Sequence, residues 1–329
     1  MKKNTKNKKR NRRSLILLLI VSVIMLGTTT YAWFTANQVV TINSIDVKVE
    51  ASNGLQISTN AAQWKSVLTN ADIVSAYSGH KNQLPATVTN VSTDGLVNGT
   101  SGTLNMYKAV IGNDASTGDY NITTSLEADK AGSIGNYVAF DIFLRVDKDQ
   151  TIYLTTDSNV VAKEGSEDRG LKNAARVAFV VLGEGSSTDA PSDLTKLDNK
   201  VASRAIIWEP NADAHTSMVT DSVASEYGVS LVAGTNTPYY GVNKEISTAI
   251  DLKSLVNGTN ADDATLVTPN IVTNEVMSDY QEAFDLKAGV TKMRVYMWIE
   301  GQDIDCENNA TGSDISFNLQ FSTQSSAGA

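Results

Sequence analysis

Along most of this chain, apolar residues return at every second position. Val39, Thr41, Asn43, Ile45, Val47 and Val49 fall on one side of a first strand. Val138, Phe140, Ile142, Leu144 and Val146 repeat the pattern, with Asp141, Arg145 and Asp147 on the other side. Ile152 and Leu154 open a third segment. The run AARVAFVVL (174–182) is apolar at both parities, the pattern of a strand covered on both faces. Met293, Val295, Met297 and Ile299 alternate with Lys292, Arg294, Tyr296, Trp298 and Glu300. Ile315, Phe317, Leu319 and Phe321 mark a last strand. Weaker strands are expected near 85–91, 103–111 and 119–127. Asn53-Gly54, Asp94-Gly95, Asn98-Gly99, Asn257-Gly258 and Thr311-Gly312 supply turns.

Helical spacing is rare. Residues 61–68 around Trp64 form one candidate helix. Residues 274–286, with Val276, Tyr280, Ala283 and Phe284, form another. Many strands with one or two inserted helices predict an all-β fold, an antiparallel β-sandwich that is jelly-roll-like and carries long loops. Residues 184–275 are rich in small polar side chains and hold Pro191, Pro210, Pro238 and Pro269. They are expected as a loop-rich insertion in a single domain spanning 33–329. A division into two domains near 165–170 is the alternative.

Charge changes this picture by separating the front of the chain from the rest. The 27 basic and 36 acidic residues give a formal charge of −9, but eight of the basic residues lie in residues 1–13. An apolar run at 15–26 follows, and then Gly27 and three threonines. A basic stretch, an apolar stretch and small residues in that order predict a signal peptide over 1–32. Thr30 and Ala32 are its small residues, with cleavage before Trp33. The alternative is an uncleaved anchor crossing a membrane through residues 15–34. Taking the eight from the 27 leaves 19 basic residues against 36 acidic ones, or −17 for the remainder. That balance argues against nucleic acid as a partner.

Candidate chemistry is sparse. One cysteine excludes a disulfide framework, and two histidines make a histidine-based centre improbable. No catalytic motif is visible, so a non-enzymatic protein is expected. His80 and His215 lie in polar loop contexts. Cys306 is expected as an inert loop thiol, its acidic neighbours disfavouring the thiolate. Asp303, Asp305, Glu307 and Asn309 alternate along one loop and could gather oxygens around Ca²⁺, or form a solvated acidic hairpin. Trp64, Trp208 and Trp298 are candidate sugar platforms. Tyr296 and Trp298 share a face and would stack on a glycan if exposed; if covered they are core.

The junction TTTYAWFTANQVVTINSIDVKVEAS (28–52) resembles the start of the TasA/camelysin group of exported Gram-positive proteins. Gly27, Thr30, Tyr31, Ala32, Trp33 and Phe34 carry the likeness. MRVYMWIEGQDIDC near the other end is similar to exported proteins that share this start; the middle of the chain is unmatched. The resemblance implies processing by a SipW-type signal peptidase, secretion, and a cell-surface or biofilm-matrix subunit that forms fibres. Cleavage would free a β-rich arm over 33–51, with Val39, Thr41, Ile45, Val47 and Val49 as its donor-strand residues. The same strand could instead pair within its own sandwich. A monomeric adhesin or glycan-binding module, with a surface glycan or matrix protein as partner, is the alternative function.

Overall fold

The computed structural model describes residues 39–50, 54–113, 120–165, 170–212, 214, 239–242, 245–251, 264–267, 269–273, 277–301, 303, 306 and 313–326. Nineteen strands occur among them. They are β1 (Val40–Val49), β2 (Gln56–Ser58), β3 (Val67–Leu68), β4 (Thr87–Val88), β5 (Asn90–Asn98), β6 (Thr103–Asn113), β7 (Tyr120–Glu127), β8 (Val138–Val146), β9 (Gln150–Leu154) and β10 (Asn159–Ala162). Then come β11 (Ala175–Gly185), β12 (Ile206–Glu209), β13 (Tyr239–Val242), β14 (Ile246–Asp251), β15 (Ala264–Val267), β16 (Ile271–Val272), β17 (Gln281–Leu286), β18 (Gly289–Glu300) and β19 (Asp314–Ser322). The helical pieces described are α1 (Asn70–Val74), α2 (Pro191–Leu194) and a 3-10 turn at Leu171–Ala174.

The all-β expectation holds. One sheet has the order β17-β9-β19-β1-β3, with β10 also beside β19 and β4 beside β1. The larger sheet has the order β14-β7-β6-β5-β18-β11-β12-β16, and β8 and β2 extend it from β18. Most neighbours are antiparallel, but β1–β19, β5–β18 and β12–β16 run parallel. β13 and β15 form a separate ribbon.

The period-2 signal becomes packing at the interface of the two sheets. Val47, Val49, Ile152, Leu154, Phe317 and Phe321 come from the first sheet. Phe140, Ile142, Leu144, Val177, Phe179, Met293, Val295 and Met297 meet them from the second in one core cluster. β11 is covered on both sides, as its unbroken apolar run predicts. Val177 and Phe179 face that main core, and Ala178, Val180 and Leu182 face a second one. The second cluster lies on the outer face of the large sheet, where Val91, Val97, Leu104 and Met106 of β5 and β6 fold over Tyr296 and Trp298. β5 joins β18 only at Ile299 and Glu300, so the sheet turns back over itself there.

Four expectations change. Residues 281–286 form a strand, not a helix: Phe284 and Leu286 are buried and pair with Ile152 and Gln150 of β9. A register shift between Glu282 and Phe284 seats Ala283 and Phe284 side by side against the core, which mimics helical spacing. Residues 61–68 are bends ending in β3, and the helix starts later, at Asn70. Asp94-Gly95 is a bulge inside β5, not a turn. Gly95 has φ +72°, and the Asp94 carboxylate accepts the Leu96 N–H at 2.8 Å. The segment 184–275 also contributes more than loops, since β12 pairs with β11 and buries Trp208.

Candidate functional site

β18 alternates between two environments. Met293, Val295, Met297 and Ile299 fill the main core, and Lys292, Arg294, Tyr296 and Trp298 point to the outer face. β8 lies antiparallel beside it, with Arg294 opposite Asp141 in register. Two oppositely charged side chains thus meet on a buried surface. Arg294 Nε donates to Asp141 Oδ1 at 2.7 Å and Nη2 donates to Oδ2 at 3.3 Å, a forked pair. Arg294 Nη1 also reaches Asp129 at 3.1 Å.

Three phenols complete the network. Tyr77 donates to Asp141 at 2.8 Å, and Tyr137 and Tyr296 each donate to Asp129 at 2.8 Å. Burial, and then the neighbouring carboxylate, push all three hydroxyls above the usual phenol range, so they stay protonated and donate. Burial drives the Asp141 carboxyl up. Arg294, with help from Lys292 and Tyr77, outweighs that and holds it below the ordinary value. Burial pulls the Lys292 ammonium down, opposed mainly by Asp141. Lys292 Nζ donates to the Thr195 carbonyl at 2.7 Å and lies 3.6 Å from Asp141.

The β5–β6 layer covers Tyr296 and Trp298 but stops short of Lys292 and Arg294. Above these two residues opens a cleft of about 830 Å³. The β5–β6 hairpin end, residues 126–131 following β7, the segment 195–201 and residues 77–81 form its walls. The charges on the floor satisfy one another. The walls bring hydroxyls, amides, lysines, the carboxylates of Glu127, Asp129 and Asp198 and a few aliphatic side chains, which are groups suited to holding a ligand. Alternating polarity on β18 was the signal in the sequence. Its pairing with Asp141 and the contribution of Asp129 depend on register and on a distant loop, so neither could be read locally.

The strand proposed as donor, β1, is paired inside this chain. Thr41, Ile45, Val47 and Val49 are in register with Asp314, Phe317, Leu319 and Phe321 of β19. A shift between Ile42 and Ser44 changes the phase expected for its first half: Val40 is buried and Val39 is 41% exposed. Asp303 is buried and accepts from Arg176, which also pairs with Glu209 in the interior. Asp305, Glu307, Asn309, Thr30, Ala32, Trp33 and His215 lie outside the described residues. Among the described residues no group of three or more His, Cys, Asp or Glu could hold a metal ion.

Cys306 lies outside any strand or helix, as expected of a loop thiol, and its side chain is buried in the main core. Trp208, Trp298 and Tyr296 are fully buried, so the glycan platform read from Tyr296 and Trp298 is covered by β5 and β6. Trp64 is half-buried, with the Arg145 guanidinium 4.3 Å from its ring centre. His80 Nδ1 accepts the Asn82 N–H at 3.3 Å. Among the described residues no helix is long and apolar enough to cross a membrane. The chain matches no family model, no curated protein and no solved structure.

Proposed function

We propose that this chain is an exported, non-enzymatic structural protein of the cell surface or extracellular matrix, and that it joins copies of itself by exchanging β1. The observation that carries the reading is the lopsided pairing of β1. On one side β1 meets β19 in parallel over eight register positions; on the other it has two from β3 and two from β4. A strand held by one long seam can be replaced by the same strand of another copy with no change in contacts. Where each copy gives β1 to the next instead of trading it reciprocally, the exchange is head-to-tail and propagates. The basic and apolar segment before β1 and the junction's likeness to TasA/camelysin proteins support export and assembly.

Cysteine pairing tests this. Lys48 and Gln320 are partners across the β1–β19 seam, and the native thiol Cys306 is buried. A Lys48→Cys protein is mixed with a Gln320→Cys protein and treated with a short dithiol crosslinker. Covalent dimers that grow with concentration are the expected outcome. Crosslinks confined to a Lys48→Cys/Gln320→Cys double variant, within single chains at every concentration, would overturn strand exchange. A second reading, a glycan-binding module, is favoured by the cleft above Lys292 and Arg294.

A further inference from the structure

We infer that the cleft above β18 binds an acidic oligosaccharide, a short run of carboxylated sugar rings. Three features of its walls converge on that chemistry. The first is the size and openness of a site of about 830 Å³, within the range of small-ligand clefts. The second is amphipathic lining. The Thr100 hydroxyl and the Asn98 amide nitrogen have no partner among the described residues, beside Leu126, Leu197 and Val201 in the same walls. Leu126 is 49% exposed there, an apolar surface that a sugar's C–H face can cover while its hydroxyls reach the amides and hydroxyls. A purely apolar ligand would leave the polar groups unpaired.

The third feature is charge. Five cationic side chains and four carboxylates line the cleft, in an exported remainder that carries −17. Arg294 is paired with Asp141 and Asp129, and Lys130 with Glu127 at 3.3 Å. Lys81 and Lys196 have no ion-pair partner among the described residues and both are exposed; of the four carboxylates only Asp198 is likewise without an ion pair, so the uncompensated charge of the lining is one positive. The two lysines stand where the carboxylates of a bound chain would lie. A cationic ligand would meet them unfavourably, and a neutral one would leave them unused. The inference rests on the cleft alone and is independent of strand exchange.

The test uses isothermal titration of the exported chain with tetragalacturonate, maltotetraose and a tetraglutamate peptide. Tetragalacturonate is expected to bind, and to weaken as salt rises from 50 to 200 mM, because exposed charge contacts are screened over about 8–10 Å. The Lys81→Ala/Lys196→Ala variant, altered only at exposed positions, should melt like the parent and bind about tenfold more weakly. Leu126→Ser should weaken binding without changing the salt dependence. Absence of tetragalacturonate binding at millimolar concentration would overturn the inference. So would equal affinity for maltotetraose, equal affinity for the peptide, or an unchanged affinity in the double lysine variant.

Discussion

Asp141 sits in the middle of a sheet, fully buried, and is tolerated there because Arg294 grips it with two hydrogen bonds. Such a pair adds little compared with an apolar pair of equal volume, but losing one partner strands the other. Arg294→Met is therefore expected to destabilise by about 3–5 kcal/mol, measured by urea unfolding. The pH dependence follows from the lowered Asp141 value. Its contribution is complete above the ordinary 3.8 and is lost as pH falls through the lower folded-state value. Asp141→Asn should flatten the acid limb of the unfolding midpoint against pH. Asp94 has the opposite sign. Burial raises its carboxyl, so its contribution is present at low pH and lost as pH rises through the raised value. Beside it the Tyr107 hydroxyl is pushed up to about 12, by burial first and then by Asp94. Gly289 is fixed by space as well as by its φ of +121°. An added Cβ there would press on the backbone carbonyl of Gly185. Gly289→Ala should cost about 2–4 kcal/mol in the same measurement.

At the scale of elements, β17 shows what local pattern leaves out. Phe284 joins Phe179 and Phe321 in a trio with ring centres 5.5–5.6 Å apart, binding β17, β11 and β19 across the two sheets. Phe284→Ala should lower stability by about 3–5 kcal/mol. The loss should appear in both sheets together, seen as faster amide exchange at β9 and β11. The long strands β8, β11, β18 and β19 were legible because each keeps strict alternation or an unbroken apolar run. β17 was not, because one extra residue broke its period and left apolar residues spaced as on a helix. The phase of β1 was lost to the same device between Ile42 and Ser44. Bulges answer to the partner strand, and a single sequence does not name its partner.

At the scale of the whole molecule, the doubling-over of the large sheet decides where a ligand can sit. Two interleaved cores leave the outer face of β18 covered at Tyr296 and Trp298, with a cleft reaching down to the buried Lys292 and Arg294. The sequence carried the all-β class, most strands and the polar stripe of β18. It did not carry the cleft, whose walls come from segments centred near residues 79, 101, 129 and 198. The alternating carboxylates of the loop from Asp303 read, in the sequence alone, as a cation site. One of them, Asp303, answers instead to Arg176, more than a hundred residues away in the chain, and alternation alone could not distinguish the two.

The seam between β1 and β19 also bears on timing. Thr41 and Asp314 are neighbours in the sheet but lie at opposite ends of the described chain. Long-range pairings of this kind close late. A chain emerging from a ribosome or through a membrane holds β1 ready long before its longest partner exists. A copy cut short anywhere before Asp314 leaves β1 with only β3 and β4 as hydrogen-bonded neighbours. Copies cut before Asp314 are therefore expected to lose β1 to a protease faster than the uncut chain, a difference that limited proteolysis of the two measures.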